Sequence, residues 1–362
     1  MKKIFFIIPT LTQGGAERVI VTLIKYLDRS KFNITIMVVD MNEEVYVKDI
    51  PGDVRIINLN CKRVRKAIPK IILNLWRHRP KIVMSTLGHL NIAIAIFKFL
   101  MPKNIRFIAR ETIVVTEKIK RGKNKKLWQF LYRFYYPNFN KIICQSRDML
   151  EDLSNIIATK KNLTLINNPV DHESIKLLTK LKDPMVERFF CDKSFVYFVA
   201  AGRLIKQKGF ELLIEAISLA NNPKIRLAIL GHGPLEKNLN HLINSHNLSE
   251  QITLPGYQKN PYLWFSKADA FILSSYYEGF PNVVLESLSC GTPVISTPAP
   301  GGTKEILGSI EGCYLSNEIT AISLKKVITD FIDSNQRRIT KDEIRPYKPD
   351  RICKEYMNVF LG

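Results

Sequence analysis

The chain has 362 residues and a composition close to that of globular proteins, with 46% hydrophobic and 24% charged residues. This length gives room for two domains with sizeable cores, and 17 glycines and 18 prolines are too few for a collagen-like or low-complexity chain. The net charge of +21 is concentrated in residues 1–170, which carry 31 basic and 12 acidic side chains, so this half is expected to meet an anionic partner. A nucleic acid, a lipid surface and a phosphorylated substrate all fit that description.

The first predicted element is a β-strand that begins after two lysines and ends at Pro9. The same pattern resembles a signal peptide, but Pro9 ends the apolar run after about half the necessary length. The six cysteines are scattered without a CxxC pair, so they predict neither a zinc cluster nor a disulfide framework. This scattered placement of the cysteines favours a reducing, cytosolic setting.

Strands and helices alternate along the rest of the first half. Apolar residues recur at helical spacing from Ala16 to Leu27, and a second helix is predicted at 68–76. Further strands are predicted at 34–39, 54–59, 81–87, 105–109, 141–145 and 163–166. Residues 82–101 approach the length of a membrane span, but they include polar residues such as His89 and Lys98, which favours a strand, a loop and a helix.

The alternation restarts after residues 167–192, which are predicted to be a linker. The later strands are predicted at 195–201, 226–230, 252–254, 270–274 and 293–296, and the helices at 210–220, 235–244 and 283–288. Because parallel strands need crossover connections, this order predicts an α/β protein with two doubly wound, Rossmann-like domains. We assign residues 1–170 and 171–345 to these domains and expect them to face each other across a ligand-binding cleft. A helix in residues 346–362 is expected to pack back on the first domain.

Two glutamates, Glu278 and Glu286, follow a predicted buried strand with seven residues between them. Glu278 lies in the loop after the strand and Glu286 about one turn into the next helix, so both carboxylates are expected to point into the cleft. The first amides of that helix, at Asn282, Val283 and Val284, are expected to be unpaired and to form an anion site. The alternative is that the glutamates only complement the helix dipole, an effect of under about 1 kcal/mol.

Two basic residues, Arg203 and Lys208, flank the turn that follows the strand at 195–201. Both can reach the same cleft and hold a diphosphate, Arg203 as a planar fork and Lys208 as a point charge. The alternative is a solvated loop with ordinary basic residues.

Glycines follow two other strands. Gly14 and Gly15 lie between the first strand and its helix, where the backbone can approach an anion closely, and Gly231 lies in the turn LGHGP. The dinucleotide fingerprint GxGxxG is absent, which disfavours a nicotinamide enzyme. No DxD pair occurs, so no carboxylate-held metal is expected.

Together these segments resemble the retaining nucleotide-sugar glycosyltransferases of family 4, which have the GT-B fold. The resemblance covers GGAERV, NNPVD, GRLIKQKG, LGHGP, the glutamate pair in EGFPNVVLES and CGTPVIST. It implies that Arg203 and Lys208 bind the donor diphosphate, that Glu286 holds the ribose hydroxyls and that Glu278 contacts the transferred sugar. It also places Gly15 beneath the phosphates and Tyr257 and Gln258 near the base.

The sequence departs from the family pattern in the acceptor region. Many relatives have a short Ser-Glu-His run there, whereas this chain reads ARET from Ala109 to Thr112. We therefore take Arg110 and Glu111 as acceptor-side candidates. His89 is a further candidate, although a lone histidine at a strand end is more often structural than a base.

A basic cluster precedes an aromatic, amphipathic helix in residues 117–141. Lys123, Lys125 and Lys126 lie in it, and this combination is typical of a segment at an anionic membrane surface. The run at 61–70 repeats the pattern before a second helix. The alternatives are solvated faces over an ordinary core, or binding of single-stranded nucleic acid, for which no recognised motif is present.

The resemblance implies a glycosyltransferase, and the basic clusters predict that it is cytoplasmic and bound peripherally to the inner face of the membrane. It would move a hexose or N-acetylhexosamine from a UDP-sugar to a glycan on polyprenyl diphosphate, without a cofactor or metal. A glycoside hydrolase with paired carboxylates and a non-catalytic nucleotide-sugar binding module remain as alternatives.

Overall fold

A computed structural model describes residues 1–12, 14–41, 46–334 and 337–362. These residues form two compact units. The first unit consists of Met1–Pro169 together with Pro349–Gly362, and the second consists of Val170–Lys348. The chain therefore leaves the first unit once and returns to it at its last helix.

The first unit is built on a sheet of seven described strands, all parallel, in the order β3-β2-β1-β4-β5-β6-β7. The strands are β1 (Lys2–Ile8), β2 (Phe32–Val38), β3 (Arg55–Asn58), β4 (Ile82–Thr86), β5 (Arg106–Arg110), β6 (Lys141–Cys144) and β7 (Leu163–Leu165). Alternate residues of β1 point to opposite faces of this sheet. Ile4 and Phe6 enter one core and Phe5 and Ile7 the other, so both faces are covered by helices.

Seven described α-helices belong to the first unit, and a short 3-10 turn follows the third. The helices are α1 (Gly15–Tyr26), α2 (Val64–His78), α3 (Gly88–Phe97), α4 (Val115–Arg121), α5 (Lys125–Tyr135), α6 (Arg147–Ile157) and, at the end of the chain, α15 (Pro349–Leu361), and the 3-10 turn is Lys98–Leu100. α1 and α15 cover the face of Ile4 and Phe6, while α2, α3 and α5 cover the other face. Residues 82–101 thus form a strand and a helix, and none of the described helices combines the length and hydropathy of a membrane span.

The second unit has a parallel sheet of six described strands in the order β10-β9-β8-β11-β12-β13. The strands are β8 (Val196–Ala201), β9 (Ile225–Leu230), β10 (Ile252–Thr253), β11 (Ala270–Leu273), β12 (Val294–Ser296) and β13 (Tyr314–Leu315). The described helices are α7 (His172–Leu178), α8 (Pro184–Phe189), α9 (Phe210–Ala220), α10 (Glu236–Ser245), α11 (Tyr262–Lys267), α12 (Asn282–Ser289), α13 (Thr303–Leu307) and α14 (Ala321–Ile332).

The predicted linker at 167–192 is wrong, because most of it folds as α7 and α8 within the second unit. Asp171 starts α7 by accepting a hydrogen bond from the Ser174 amide at 3.1 Å, and Asp183 does the same for Met185 at the start of α8. Ile175 on α7 is buried in the unit's core. The many charged residues of this segment cover the exposed sides of two core helices.

Each sheet reverses its strand order at one place, which is where open α/β sheets bind ligands. In the first unit the reversal lies between β1 and β4, and in the second unit between β8 and β11. The segments that follow β8 and β11 contain Arg203, Lys208 and Glu278. The topology therefore points to these loops as the ligand site of the second unit.

Candidate active site

The loops after β8 and β11 are in direct contact. Lys208 Nζ lies 2.7 Å from Glu278 Oε1, and both side chains are largely buried. Gly209, which directly precedes α9, has φ of +63°, and a Cβ there would lie 2.1 Å from the carbonyl oxygen of Ser274. Glycine is therefore required where the two loops meet. The sequence placed Lys208 and Glu278 at one site, and the structure brings them together as an ion pair.

Glu278 is held by more than Lys208. Ser275 is fully buried, and its Oγ donates a hydrogen bond of 2.5 Å to the same Oε1 atom. The Glu278 amide donates to the carbonyl of Pro300 at 2.9 Å, which fixes the loop backbone. Sequence analysis missed Ser275, although a serine three residues before a loop carboxylate is a visible signal for a local hydrogen bond.

Arg203 follows β8 and is exposed. Its side chain has no hydrogen-bond or ion-pair partner among the residues that the structure describes. The guanidinium is therefore available to an anionic ligand, with five donors in a planar fork.

Glu286 lies in α12 and is buried, at 6% exposure. The expected anion site at the start of α12 needs a correction, because the Val284 amide donates to the Pro281 carbonyl at 3.0 Å. Pro281 turns the chain so tightly that this amide is satisfied inside the helix start. The Val284 amide is therefore not available to an anion.

Gly231 follows β9 and lies against the loop after β8. Its φ is +141°, and a Cβ there would lie 1.9 Å from the Gly202 carbonyl oxygen. The Gly231 amide donates to the carbonyl of Gly256 at 2.9 Å, just before Tyr257. Gly231 therefore brings the turn that carries Tyr257 next to the turn that carries Arg203.

Tyr257 and Gln258 differ in their environment. Tyr257 is 46% exposed. The side chain of Gln258 is engaged, because its Nε2 donates to the Pro255 carbonyl and its Oε1 accepts from Trp264 Nε1. Of the two side chains, Tyr257 is therefore the one whose ring is accessible to a nucleotide base.

In the first unit, Gly14 and Gly15 lie at the start of α1, and Gln13 lies outside the described residues. The carboxylate of Glu17 occupies this helix start, because a Cβ on Gly14 would lie 1.9 Å from Glu17 Oε2. Glu17 is buried and accepts a hydrogen bond from Thr10 Oγ1 at 3.3 Å. Sequence analysis missed this role, although Glu17 in the first helical turn is an ordinary partner for helix amides.

Arg110, one of the acceptor-side candidates, is fully buried at the end of β5. Its guanidinium is satisfied within the first unit by three neutral oxygen acceptors, Tyr356 Oη at 3.1 Å, Asn168 Oδ1 at 2.6 Å and Thr86 Oγ1 at 3.4 Å. Because Tyr356 lies on α15 and Asn168 precedes Pro169, Arg110 joins both segments at which the chain passes between the units.

Glu111, a second acceptor-side candidate, is also buried, with 1% exposure. Its carboxylate accepts hydrogen bonds from the hydroxyls of Tyr132 and Tyr136 on and after α5, and from the Thr112 amide. Burial raises the pKa of the Glu111 carboxyl, while the nearby Lys118 acts in the opposite direction. A sequence pattern does not reveal that two tyrosines more than twenty residues away cover this residue.

His89 lies in the first turn of α3, directly after β4. Desolvation and the charge of Lys118 lower the pKa of its imidazole, which favours the neutral ring at neutral pH. β4 borders the strand-order reversal of the first sheet, so His89 lies at the ligand edge of the first unit. It is the acceptor-side candidate whose position agrees best with a ligand site.

Lys123, Lys125 and Lys126 are exposed in the turn between α4 and α5 and in the first turn of α5. Lys118 of α4 lies over the ring of Trp128, 5.9 Å from its centroid. Among the described residues, no group of three or more His, Cys, Asp or Glu side chains is arranged to hold a metal ion.

Two family descriptions match the chain. Residues 13–174 match "Glycosyltransferase Family 4" and residues 186–346 match "Glycosyl transferases group 1". The chain is 30% identical over its whole length to the N-acetylgalactosamine-N,N'-diacetylbacillosaminyl-diphospho-undecaprenol 4-alpha-N-acetylgalactosaminyltransferase of Campylobacter jejuni, all of which is covered. It is 33% identical to an uncharacterised glycosyltransferase of Methanocaldococcus jannaschii over 68% of this chain and 62% of that protein.

The fold is similar to that of solved glycosyltransferase structures. Anabaena HepE in complex with UDP and glucose matches with a TM-score of 0.80 and 15% identity, over 99% of each chain. A sucrose-phosphate synthase from Thermosynechococcus elongatus matches with a TM-score of 0.82 and 16% identity, over 99% of this chain and 98% of that one. The two parallel sheets, the full-length relative and the two family matches agree. The chain therefore belongs to the family 4 glycosyltransferases and has the GT-B fold.

Proposed function

We propose that the protein transfers a hexose or N-acetylhexosamine from a UDP-sugar to a lipid-linked glycan at the cytoplasmic membrane surface, with retention of configuration. The acceptor class is supported by the Campylobacter jejuni relative, whose name specifies a diphospho-undecaprenol acceptor. A second relative from that organism, 27% identical over 91% of this chain and 90% of that protein, also has PP-undecaprenol in its name. The donor class is supported by the structural neighbour that holds UDP and glucose.

The observation that carries the proposal is the group of Arg203, Lys208 and Glu278 at the strand-order reversal of the second unit. Cleavage of the bond between the donor sugar and its diphosphate leaves negative charge on the diphosphate. Fixed cations that face this charge lower the barrier, because they need no reorganisation when it develops. Lys208 is held in place by Glu278 and is one such cation, and the exposed Arg203 of the same loop supplies a second positive charge, so we propose that no metal ion is required.

Glu278 has a separate role in this proposal. Its Oε1 atom is already engaged by Lys208 and Ser275, so the carboxylate is fixed in orientation before a donor arrives. A fixed carboxylate acceptor can select sugar hydroxyls by hydrogen bonding. When the diphosphate binds, Lys208 would contact both it and Glu278, which couples sugar recognition to phosphate binding.

We expect Glu286→Ala to weaken UDP binding, because Glu286 is proposed to accept hydrogen bonds from the ribose hydroxyls. Loss of a charge-assisted pair of this kind costs about 1.5–3 kcal/mol, or roughly tenfold to a hundredfold in dissociation constant. Isothermal titration calorimetry with UDP measures this. Glu250→Ala, which removes an exposed carboxylate of the same unit, is the matched control. Unchanged UDP affinity in a folded Glu286→Ala protein would reject the ribose role.

The membrane part of the proposal is supported by the exposed lysines at the start of α5. We expect the triple change of Lys123, Lys125 and Lys126 to Glu to release the protein from vesicles that contain phosphatidylglycerol. Each basic residue near an anionic surface contributes about 1 kcal/mol, so reversing three charges should lower binding by at least a hundredfold.

Sedimentation with vesicles tests this expectation. The control is the triple change of Lys193, Lys224 and Lys237 to Glu, which alters the net charge equally through exposed lysines of the second unit. Equal release by both variants would mean that net charge, and not the α5 cluster, determines binding.

The two alternative functions give different products. A glycoside hydrolase would release free sugar from a glycan without a UDP donor, and a binding module would hold UDP without donor turnover. Incubation with a panel of UDP-sugars and a lipid-linked acceptor separates all three, because only a transferase forms an extended lipid-linked glycan. Arg203 has no partner among the described residues and lies in the same loop as Lys208, which pairs with Glu278, and this arrangement of two cations favours the transferase.

A further inference from the structure

The outer face of three helices in the first unit is unusually apolar. Of the seventeen large hydrophobic side chains that are exposed in the described residues, eight lie on α2, α3, α5 and the 3-10 turn after α3. They are Leu73, Trp76, Phe97, Phe99, Leu100, Leu127, Phe130 and Phe134, and we call this set the apolar face. Contiguous exposed patches of this kind mark interaction surfaces.

The members of the apolar face share one side of the molecule. α2, α3 and α5 bury their inner residues in the same core, on the same face of the seven-stranded sheet. Trp76 Nε1 on α2 donates to the carbonyl of Leu100 at 2.9 Å, and this bond links α2 to the 3-10 turn after α3. Phe130 and Phe134 stack on α5 with centroids 4.4 Å apart. The exposed side chains of α2 and of the turn after α3 are therefore adjacent, and those of α5 belong to the same helix layer.

A cavity of about 500 Å³ opens on this layer between the ends of α3 and α5. Its apolar lining includes Ala95, Ile96, Met101, Phe107 and Tyr135, and Phe99 stands at its edge with 75% exposure. Volumes in this range are typical of small-molecule sites. The ten described lining residues include Lys98 and Lys103 but no acidic residue.

Lys98 is the polar group of this cavity. Its Nζ donates to the carbonyl of Asn138 and lies 5.4 Å from the centroid of the Phe107 ring. Burial lowers the pKa of this amine, and no carboxylate among the described residues forms an ion pair with it. An ammonium group in an apolar setting without a counter-ion is stabilised when an anion arrives.

The position of the cavity separates it from the sugar-transfer site. α3 begins at Gly88, directly after the carboxyl end of β4, and its ten residues run about 15 Å away from that edge. Parallel sheets bind substrates at the carboxyl edge, whereas this cavity lies at the other end of α3, close to the start of β5. The expected occupant is therefore not the diphosphate of the acceptor.

We propose that this cavity binds an acyl chain of an anionic phospholipid, with the lipid phosphate between Lys98 and Lys103, while Phe99 and Leu100 enter the bilayer beside it. The apolar lining fits the chain, the two lysines fit the phosphate, and the excess of basic residues in the first unit fits an anionic membrane. This site is separate from the lysine cluster at the start of α5 and does not depend on the identity of the transferred sugar.

Vesicle binding tests the inserting residues. The double change Phe99→Ser and Leu100→Ser should lower partitioning into phosphatidylcholine vesicles with phosphatidylglycerol about tenfold or more, because two large apolar side chains no longer leave water. The control is Leu219→Ser with Ile322→Ser, which removes two equally exposed apolar side chains from the second unit. Both variants should keep wild-type UDP affinity. Unchanged partitioning of the Phe99/Leu100 variant overturns the proposed insertion.

Thermal shift with short-chain lipids below their micelle concentration tests the cavity. Dioctanoyl phosphatidic acid should raise the Tm of the wild type and of Lys98→Arg, but not of Lys98→Gln, and dioctanoyl phosphatidylcholine should have a smaller effect. A second variant, Ile96→Trp, should abolish the shift by filling the cavity. The proposal is overturned if phosphatidic acid has no effect, if Lys98→Gln responds like the wild type, or if only farnesyl diphosphate raises the Tm, since the last result would assign the cavity to the acceptor's prenyl chain.

Discussion

Replacement of Arg203 by alanine is expected to lower turnover about a hundredfold or more while the protein remains folded. Removal of one preorganised donor that faces a developing anion costs roughly 3 kcal/mol of transition-state stabilisation. The side chain of Arg203 is exposed and makes no hydrogen bond or ion pair among the described residues, so its loss leaves no buried group without a partner. The effect should therefore appear in catalysis and not in stability.

Two further variants separate the role of Arg203 from a general effect of charge. Lys206→Ala removes an exposed cation three residues further along the same loop and should retain near-normal turnover. Arg203→Lys keeps the charge but loses the planar fork, so its turnover should lie between those of the wild type and Arg203→Ala. Steady-state kinetics with a UDP-sugar and a lipid-linked acceptor measures all three. Wild-type turnover in Arg203→Ala would exclude the proposed diphosphate site.

Gly231→Ala is expected to destabilise the second unit by about 3 kcal/mol or more and to abolish donor binding. The new Cβ would lie 1.9 Å from the carbonyl oxygen of Gly202, so either β9 or the loop that carries Arg203 must move. The strands that lead into these two positions are paired as β8 and β9, and the Gly202 amide donates to the Leu230 carbonyl at 3.0 Å, so a shift of either segment strains this pairing. The steric conflict therefore weakens backbone hydrogen bonds between β8 and β9.

Gly312→Ala is the matched control for Gly231→Ala. Gly312 also has positive φ, +85°, but the nearest atom to its new Cβ would lie at 3.5 Å, an ordinary contact. Its cost should be limited to the backbone conformation, about 1–2 kcal/mol. Urea unfolding measures the difference in the free energy of unfolding between the two variants. Hydrogen exchange of the β8 and β9 peptides in the folded proteins measures the local loss of protection. Equal destabilisation by the two changes would show that the close approach of Gly231 to Gly202 is not rigid.

The sequence predicts the architecture well, because the architecture follows from the alternation of strands and helices along the chain. The strand predicted at 226–230 is observed as Ile225–Leu230, and the helix at 210–220 as Phe210–Ala220. Short elements such as β13 and α11 lack enough residues to show a period, and sequence analysis missed both. The linker prediction failed for a related reason, since α7 and α8 are short, highly charged helices whose few buried residues are diluted by their exposed ones.

The sequence predicted the surroundings of some candidate site residues better than those of others. Lys208 and Glu278 meet as expected because the ends of neighbouring parallel strands share one edge, and strand order is set by topology. Arg110 and Glu111 also follow a strand, yet their burial depends on Tyr356 and Tyr136, which come from distant helices. Local patterns identify which residues stand at the edge of a sheet, but they do not tell which of them other elements will cover.

The passage of the chain out of the first unit and back through α15 determines when that unit can be completed. Tyr356 and Phe360 belong to its core, and Tyr356 is a hydrogen-bond partner of the buried Arg110. During synthesis on the ribosome, Val170–Lys348 emerges before these residues do, so the second unit can fold as one continuous segment while the first still lacks its last helix. The second unit can therefore mature first, and the first unit is completed only after α15 has been synthesised.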